Sequence, residues 1–491
     1  MTERVRRWGL RLIWAAALVF GTIVIGRGFE ARGHLPLEPW HRLTPKAEVT
    51  SADLTASFTL AQYLDRETAL FAEVHQALSA DVARRDPLQP NRFVPGNVSS
   101  PSRLGWDGNR TFERVPTQIA AGALLIHGLT DAPYSLHSLA DRLASQGVYA
   151  LSLRMPGHGT VPAGLTVAVW EDWMAAVRLG MRHLRQKAGE GRTLYIVGYS
   201  NGGALAVKYA LDTLDEPTLP KADRLVLVSP MIGVSPAARI AWMLSLLGGM
   251  PYFEQTRWLD VLPEYLPFKY TSFPVNAAQQ TYRLTTALDG QLARAATSGR
   301  IGDLPPILTF QSLVDTTVRT DAVVDTLYAR LTRDGSELVL FDVNRQSRIQ
   351  TFFRHGAQMA IPSTPGRYRL SVVTNASTSS LEVVERTSGP GATGASTTPL
   401  ALSWPPAVFS LTHIALPFAP DDPVFGVAAA EGAEGLHVGA LEPRGERQLL
   451  VVPVEQFMRL SYNPFYSYLE SRAAAWLTPP PGRAEVAHAR D

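Results

Sequence analysis

The chain has no cysteine in its 491 residues. That absence excludes disulfides, thiolate nucleophiles and cysteine-held metals, and leaves the compartment open. Charge is sparse as well. Asp, Glu, Lys and Arg together make 18% of the chain and the formal net charge is +2, so an electrostatically driven nucleic-acid binder is not expected. No repeat at a solenoid period is evident. No dinucleotide or phosphate-loop pattern occurs, and His158 has no second ligand at zinc spacing, so neither cofactor nor metal is expected. Residues 12–25 form an apolar run, short against the roughly 20 residues that span a bilayer.

Hydrophobic residues make 46% of the chain, enough for a large core in two or three structural units. Arg4, Arg6, Arg7 and Arg11 precede the apolar run. With residues 8–10 included and Arg11 snorkelling, the run could cross a membrane. No Ala-x-Ala site follows it, so residues 1–27 are read as an uncleaved signal anchor, with a cleaved signal peptide as competitor. The arginines would stay cytoplasmic. The expected location is then the bacterial inner membrane, single-pass, with the catalytic part on the periplasmic side.

Residues 28–110 read as a linker followed by a helical extension. Phe58, Leu60, Tyr63, Leu64, Leu70, Phe71, Val74 and Leu78 recur at helical spacing over 57–80, and 86–110 read as loop. From 120 onward, apolar strands alternate with amphipathic helices. Strands are expected at 123–126, 148–153, 194–197, 224–228, 306–310 and 337–341. Helices are expected at 135–145, 166–187, after 200, and at 320–332, with Asp131 a candidate cap for the first of these. This alternation predicts an α/β fold with a mostly parallel sheet flanked by helices. Two segments interrupt it. Residues 231–304 are apolar and aromatic and read as a cap, with residues 242–250 a candidate acyl-pocket lid or plain cap core. Residues 343–406 read as a β-rich insertion with strands near 368–373 and 381–384 and a Gly/Ser/Thr-rich loop over 387–398. The units are therefore 1–27, 28–110, a core in two parts at 111–230 and 305–342, the cap, the insertion, and a core completion with a C-terminal helix at 407–491.

The chemistry concentrates at Gly198-Tyr-Ser200-Asn-Gly202, between an apolar strand and a helix of small residues. Chance alone supplies Gly-x-Ser-x-Gly about once in five such chains, so its setting matters more than its letters. A strand-to-helix turn of this kind lifts one serine hydroxyl into the open. The Asn201 amide at the helix start can donate to a developing oxyanion. A serine hydroxyl needs an adjacent base and a group to orient that base. Asp315 follows the strand at 307–312 and turns into a helix, which suits the orienting acid; Asp321 and Asp325 lie within that helix. After Asp315 the chain offers His355, His413, His437 and His488. His413, where an apolar run enters a short loop, is favoured as the base; His355 is the nearest to the strand at 337–341. Gly128 lets the 127–131 loop approach the substrate, with the Leu129 amide as second oxyanion donor and His127 as a loop-shaping residue. The sequons at Asn97, Asn109 and Asn375 are read as chance matches.

Together His127-Gly128, Pro156-Gly-His-Gly159, Gly198-Tyr-Ser200-Asn-Gly202, the Asp315 turn and His413 resemble the α/β-hydrolase superfamily, specifically its bacterial carboxylesterase and monoacylglycerol-lipase-like branch. The resemblance covers about 120–341 and resumes near 407–475. It implies ester hydrolysis through an acyl-serine, with Ser200 as nucleophile, His413 as base, Asp315 as its acid, Leu129 and Asn201 as oxyanion donors, and 231–304 in the cap position. The substrate would be a small-molecule or lipid ester, such as an acylglycerol or lysolipid. The alternatives are an acyltransferase using the same acyl-serine, amide hydrolysis, and a noncatalytic binding protein on the same fold. The chain departs from the family pattern in its N-terminal run, its 57–80 helix and its insertion before the histidine.

Overall fold

A computed structural model describes residues 35–233, 251–350, 366–427 and 450–477, with isolated positions in 8–22, Phe353, 436–441 and Arg444. The expected inner-membrane location is overturned: among the described residues no helix is long and apolar enough to cross a membrane. Most of 12–25 lies outside the described residues, as do 242–250, His355 and His488. Arg11 breaks the apolarity of the extended run, which is why a membrane span there depended on snorkelling.

The fold class is the expected one. β1 (Phe112–Arg114), β2 (Ala121–Ile126), β3 (Val148–Leu153), β4 (Leu194–Tyr199) and β5 (Arg224–Val228) are followed, after the cap, by β8 (Ile307–Ser312) and β9 (Ser336–Phe341). Within the cap, β6 (Trp258–Asp260) and β7 (Phe273–Pro274) form a separate two-stranded ribbon. The insertion adds β10 (Tyr368–Asn375), β11 (Glu382–Ser388) and β12 (Ser396–Ser403). Among the described residues ten strands form one sheet in the order β1-β3-β2-β4-β5-β8-β9-β10-β11-β12. From β3 to β10 every pairing is parallel. Five of these strands, β2, β3, β4, β8 and β9, are buried along their whole length. That explains their near-continuous apolar sequences.

Helices cover both faces. α1 (Leu60–Val82), α3 (Trp170–Ala188), α4 (Asn201–Asp215) and α5 (Val275–Thr297) place Tyr63, Trp173, Leu205 and Leu284 in one core layer with Leu124, Leu151 and Ile196. α2 (His137–Ala144) and α6 (Tyr466–Leu477) place Leu139, Leu143, Leu469 and Leu477 in the other, with Leu125, Val197 and Phe310. Parallel strands need such crossovers, and the alternation of periods in the sequence announces them.

Several local expectations shift. The described part of the stretch read as linker carries buried Leu37, Trp40, His41 and Val49. The helix expected at 320–332 divides into α, π and 3-10 turns between Thr320 and Arg330. Asp131 does not cap α2, whose preceding residue, Leu136, has no side-chain cap; its carboxylate pairs with Lys269 Nζ at 2.9 Å instead. The insertion is no separate unit on the sheet edge: β10 continues the parallel ladder beside β9, and β11 and β12 then meander outward. The two ends of the Gly/Ser/Thr-rich stretch are strand, with Thr387 and Thr397 in the β11–β12 ladder, and its middle turns. Asn97, Asn109 and Asn375 are all buried and hydrogen-bonded.

Candidate active site

The Ser200 turn is built by crowding. Strand β4 ends at Tyr199, and Ser200 takes φ 54° and ψ −117° before α4 begins at Asn201. A side-chain-bearing residue avoids positive φ unless its surroundings hold it there. Here Ser200 N–H donates to Val228 O (2.9 Å), and Ser200 O accepts from the Gly203 and Met231 amides (both 2.9 Å). The glycines are steric necessities. A Cβ at Gly202 would fall 2.1 Å from Ile126 O, and one at Gly198 2.4 Å from Gly202 O. Helix and strand cross too closely for any other residue.

Ser200, Asp315 and His413 lie 115 and 98 positions apart along the chain, and the structure brings them into one line. Ser200 Oγ is 3.0 Å from His413 Nε2, and His413 Nδ1 is 2.9 Å from Asp315 Oδ2. The proton positions follow from donor arithmetic. A carboxylate only accepts, so Nδ1 carries the hydrogen and Nε2 is left to accept from the serine hydroxyl. Ser200 and His413 are buried, and the Asp315 side chain is wholly so. Burial works against a charge on Asp315, but the His413 imidazole and the Val318 and Thr317 amides outweigh it and hold the carboxyl below its usual range. Those amides donate to Oδ1 at 2.9 and 2.8 Å.

Residues not singled out from sequence fix this line. Gln311 Nε2 reaches Asp315 Oδ2 at 3.3 Å and Thr320 Oγ1 at 3.1 Å. The Tyr199 ring stacks on the His413 ring with centroids 5.4 Å apart, and Tyr199 Oη donates to His413 O at 3.4 Å. Burial, reinforced by the Asp131 and Asp315 charges, pushes the Tyr199 phenol well up, so it stays neutral. Ser312 Oγ donates to Leu411 O at 2.9 Å, tying the histidine loop to the end of β8. Tyr199 lies inside the nucleophile motif at a position the pattern leaves open, and Gln311, Thr320 and Ser312 carry no motif; only the fold brings them to His413 and Asp315.

The loop after β2 faces the serine. A Cβ at Gly128 would sit 3.1 Å from Ser200 Cβ, so the loop backbone runs against the nucleophile turn. Leu129 lies in that loop and Asn201 is the first residue of α4; both are buried. Thr130, at φ 65°, has its carbonyl bonded by the Tyr270 amide at 2.8 Å. With the Lys269–Asp131 pair, the cap thus grips the loop at two points. His127 Nδ1 donates to Gly128 O (2.8 Å) and its Nε2 accepts from Met155 N (3.0 Å). Burial, then the neighbouring His158, pushes His127 well down, so it is neutral. His437 lies in the segment before the Val438–Ala440 turn. Among the described residues no group of three His, Asp or Glu side chains is placed to hold a metal ion.

Buried neutral histidines make stability depend on acid. Burial lowers His41 to about 4 and His158 to about 3, against 6.5 for the free side chain. Below pH 6.5 the unfolded chain takes protons that the folded one refuses. Stability is therefore lost from pH 6.5 down to each folded value, at up to about 1.4 kcal/mol per pH unit per histidine. Glu67 and Glu264, raised by burial, act in the opposite sense as they take up protons in the folded state. Urea midpoints of wild type and His158→Gln between pH 7 and 5 isolate one histidine. The variant is expected to lose stability less steeply; parallel slopes would refute the assignment.

Comparison with known proteins bears on this same region. The family model described as serine aminopeptidase, S33, matches residues 117–289. A thermostable monoacylglycerol lipase from Bacillus sp. (strain H-257) is 35% identical over 89 residues, which is 18% of this chain and 34% of that protein. The match therefore spans about a third of that relative's length. Among solved structures, a monoacylglycerol lipase from Paleococcus ferrophilus has a TM-score of 0.36 at 16% identity, covering 47% of this chain and 88% of its own. A soluble variant of the monoglyceride lipase from Saccharomyces cerevisiae gives 0.36 at 14%, covering 47% and 82%.

Proposed function

We propose that this chain, an α/β-hydrolase of the monoacylglycerol-lipase-like branch, hydrolyses carboxylic esters through an acyl-serine on Ser200. The observation that supports this most is the unbroken line Ser200 Oγ, His413, Asp315, with contacts of 3.0 and 2.9 Å. His413 Nε2 takes the hydroxyl proton as Ser200 Oγ bonds to the ester carbonyl carbon. The carbonyl oxygen gains the negative charge and is met by the Leu129 and Asn201 amides. The tetrahedral species collapses, the carbon–oxygen bond to the alcohol breaks, and His413 returns the proton to the departing oxygen. A water then repeats the sequence on the acyl-serine, releasing the acid and restoring Ser200. Asp315, ionised and wholly buried, holds the imidazole in the tautomer this requires and stabilises the imidazolium.

The acyl half of the substrate is read as lipid-like, a medium- or long-chain acyl group of an acylglycerol or lysolipid. Support comes from the apolar cap and from the named activity of the Bacillus relative. Esters of one alcohol with acids of increasing length should show kcat/KM rising to medium chains. A steady fall beyond short chains would remove the lipid reading while leaving hydrolysis intact. Adding a competing alcohol and analysing products separates hydrolysis from acyl transfer: free acid as the dominant product is expected.

A further inference from the structure

Two arginines are buried beside the N-terminal extension, and they are partnered very differently. Arg154 has two carboxylates on its fork, those of Glu48 and Glu67. Arg92 has no ion pair among the described residues. It is 5% exposed. Its Nη2 donates to two uncharged groups, Asn109 Oδ1 (2.7 Å) and Gly159 O (3.4 Å), and its Nη1 has no hydrogen-bond partner among the described residues. The neighbouring acids are engaged elsewhere. The Glu264 carboxylate accepts from the Thr271 and Ser272 amides (3.1 and 2.8 Å). Asp107 accepts from Asn109 N (3.0 Å) and faces Arg110 Nε at 3.4 Å. What the Arg92 guanidinium has instead are the Tyr270 and Phe93 rings, 5.1 and 5.8 Å away. A buried charge is costly unless it is paired, and burial pushes Arg92 down from its ordinary range.

Arg92, Asn109 and Gly159 also border a cavity of about 170 Å³. Another of its walls is one face of α1, where Phe71, Val74, Leu78 and Val82 follow at helical spacing. Neither Ser200, Asp315 nor His413 borders it. An apolar cavity of about 150 Å³ holds a benzene-sized molecule, so this space suits a ligand of about six carbons. We infer that the cavity binds a medium-chain carboxylate, with its anionic end on Arg92 and its chain along Val74 and Leu78. The planar guanidinium matches a carboxylate in shape and charge. The apolar helix face favours an alkyl chain over a bare anion. The α1 extension, one of the departures from the family pattern, thereby acquires a ligand. The inference is independent of the ester-hydrolase reading above, because no group of the triad takes part in it.

Isothermal titration calorimetry of the full chain with butanoate, hexanoate and hexanol tests the site. Affinity should rise by about fourfold per methylene from butanoate to hexanoate. Hexanol lacks the anion and should bind on the order of 10- to 100-fold more weakly than hexanoate. Arg92→Met keeps an extended side chain without the charge, and should bring hexanoate down to the level of hexanol. Ser79→Phe fills the cavity from an exposed position on α1 that borders it, and should weaken acid and alcohol alike. Because that position is exposed, this variant keeps the test decisive if Arg92→Met does not fold. An acid held at the triad instead would bind Arg92→Met and Ser79→Phe as it binds wild type, and that result would overturn the site. So would hexanol binding as tightly as hexanoate, or no saturable binding of hexanoate by wild type. Equal affinity for butanoate and hexanoate would reduce the cavity to a bare anion site and would also refute the inference.

Discussion

Ser200→Ala is expected to lower kcat for ester hydrolysis by roughly 10⁶-fold, with unchanged folding. The fold should not notice the loss of one oxygen. Alanine and serine bear the same strain at φ 54°, and the amide and carbonyl bonds that pin the turn are backbone bonds. His413→Ala should cost about as much, and the double variant little more, because nucleophile and base act as one unit. Asp315→Asn should lose about 10⁴-fold. An asparagine can present its amide to His413 Nδ1 and so favour the wrong tautomer, in which Nε2 can no longer accept from Ser200. On the proposed mechanism, the residual rate in the three single variants should come from the Leu129 and Asn201 amides and from binding. Circular dichroism, active-site labelling with a fluorophosphonate and steady-state kinetics check this together. Full activity in His413→Ala would sink the assigned triad. Folded wild type that neither labels nor hydrolyses would point to a noncatalytic protein on this fold.

These expectations rest on residues that sequence made legible to different depths. The Ser200 turn was readable because strand, glycines and small-residue helix are contiguous. The steric reason for Gly198 and Gly202 is local to that crossing. Asp315 was readable by position, since it follows a buried strand at the edge where such loops converge. His413 required more: the insertion of 343–406 separates it from β9, and only the chain order and an apolar run pointed to it. The structure shows why the excursion is compatible with that placement. β10 re-enters the sheet beside β9 and the chain returns over Asn344 N, which donates to Phe409 O at 2.8 Å. Gln311 and Tyr199 were illegible for the opposite reason. Each sits at or next to the end of a buried strand, where sequence reads only burial. The N-terminal run misled because its signals, an apolar composition, flanking arginines and no Ala-x-Ala site, are all local. The stretch after it misled because a segment rich in Pro, Arg and His without periodicity reads as linker whether or not the chain packs. Trp40 and Glu48 are anchored to the core through partners more than 40 positions away, Phe93 and Arg154.

The second large effect concerns that N-terminal stretch, and it is on stability. Arg154 follows β3, and its side chain is 1% exposed. Its Nη1 and Nη2 donate to the two Glu48 oxygens at 2.9 and 2.8 Å, and its Nε to Glu67 Oε1 at 2.9 Å. The acids are pinned in turn, Glu48 by the Gly157 amide (2.9 Å) and Glu67 by the Thr111 amide (3.0 Å). Burial alone would lower Arg154, but the Glu48 and Tyr63 fields outweigh it and hold the guanidinium charged. Burial pushes Glu67 up despite Arg154 beside it, so this carboxylate is the member most dependent on its partner. Arg154→Met would strand buried acids without a counter-charge, at a cost of about 3–5 kcal/mol. Replacing all three residues, as Arg154→Met with Glu48→Gln and Glu67→Gln, should recover much of that loss, because no unpaired charge remains. The same cluster holds the 154–159 turn, whose Met155 amide supports His127 and through it the Gly128 loop. Urea unfolding of the single and triple variants measures the effect. A single-variant loss below about 1 kcal/mol would place the cluster among exposed ion pairs and refute its role as the clasp of the N-terminal extension.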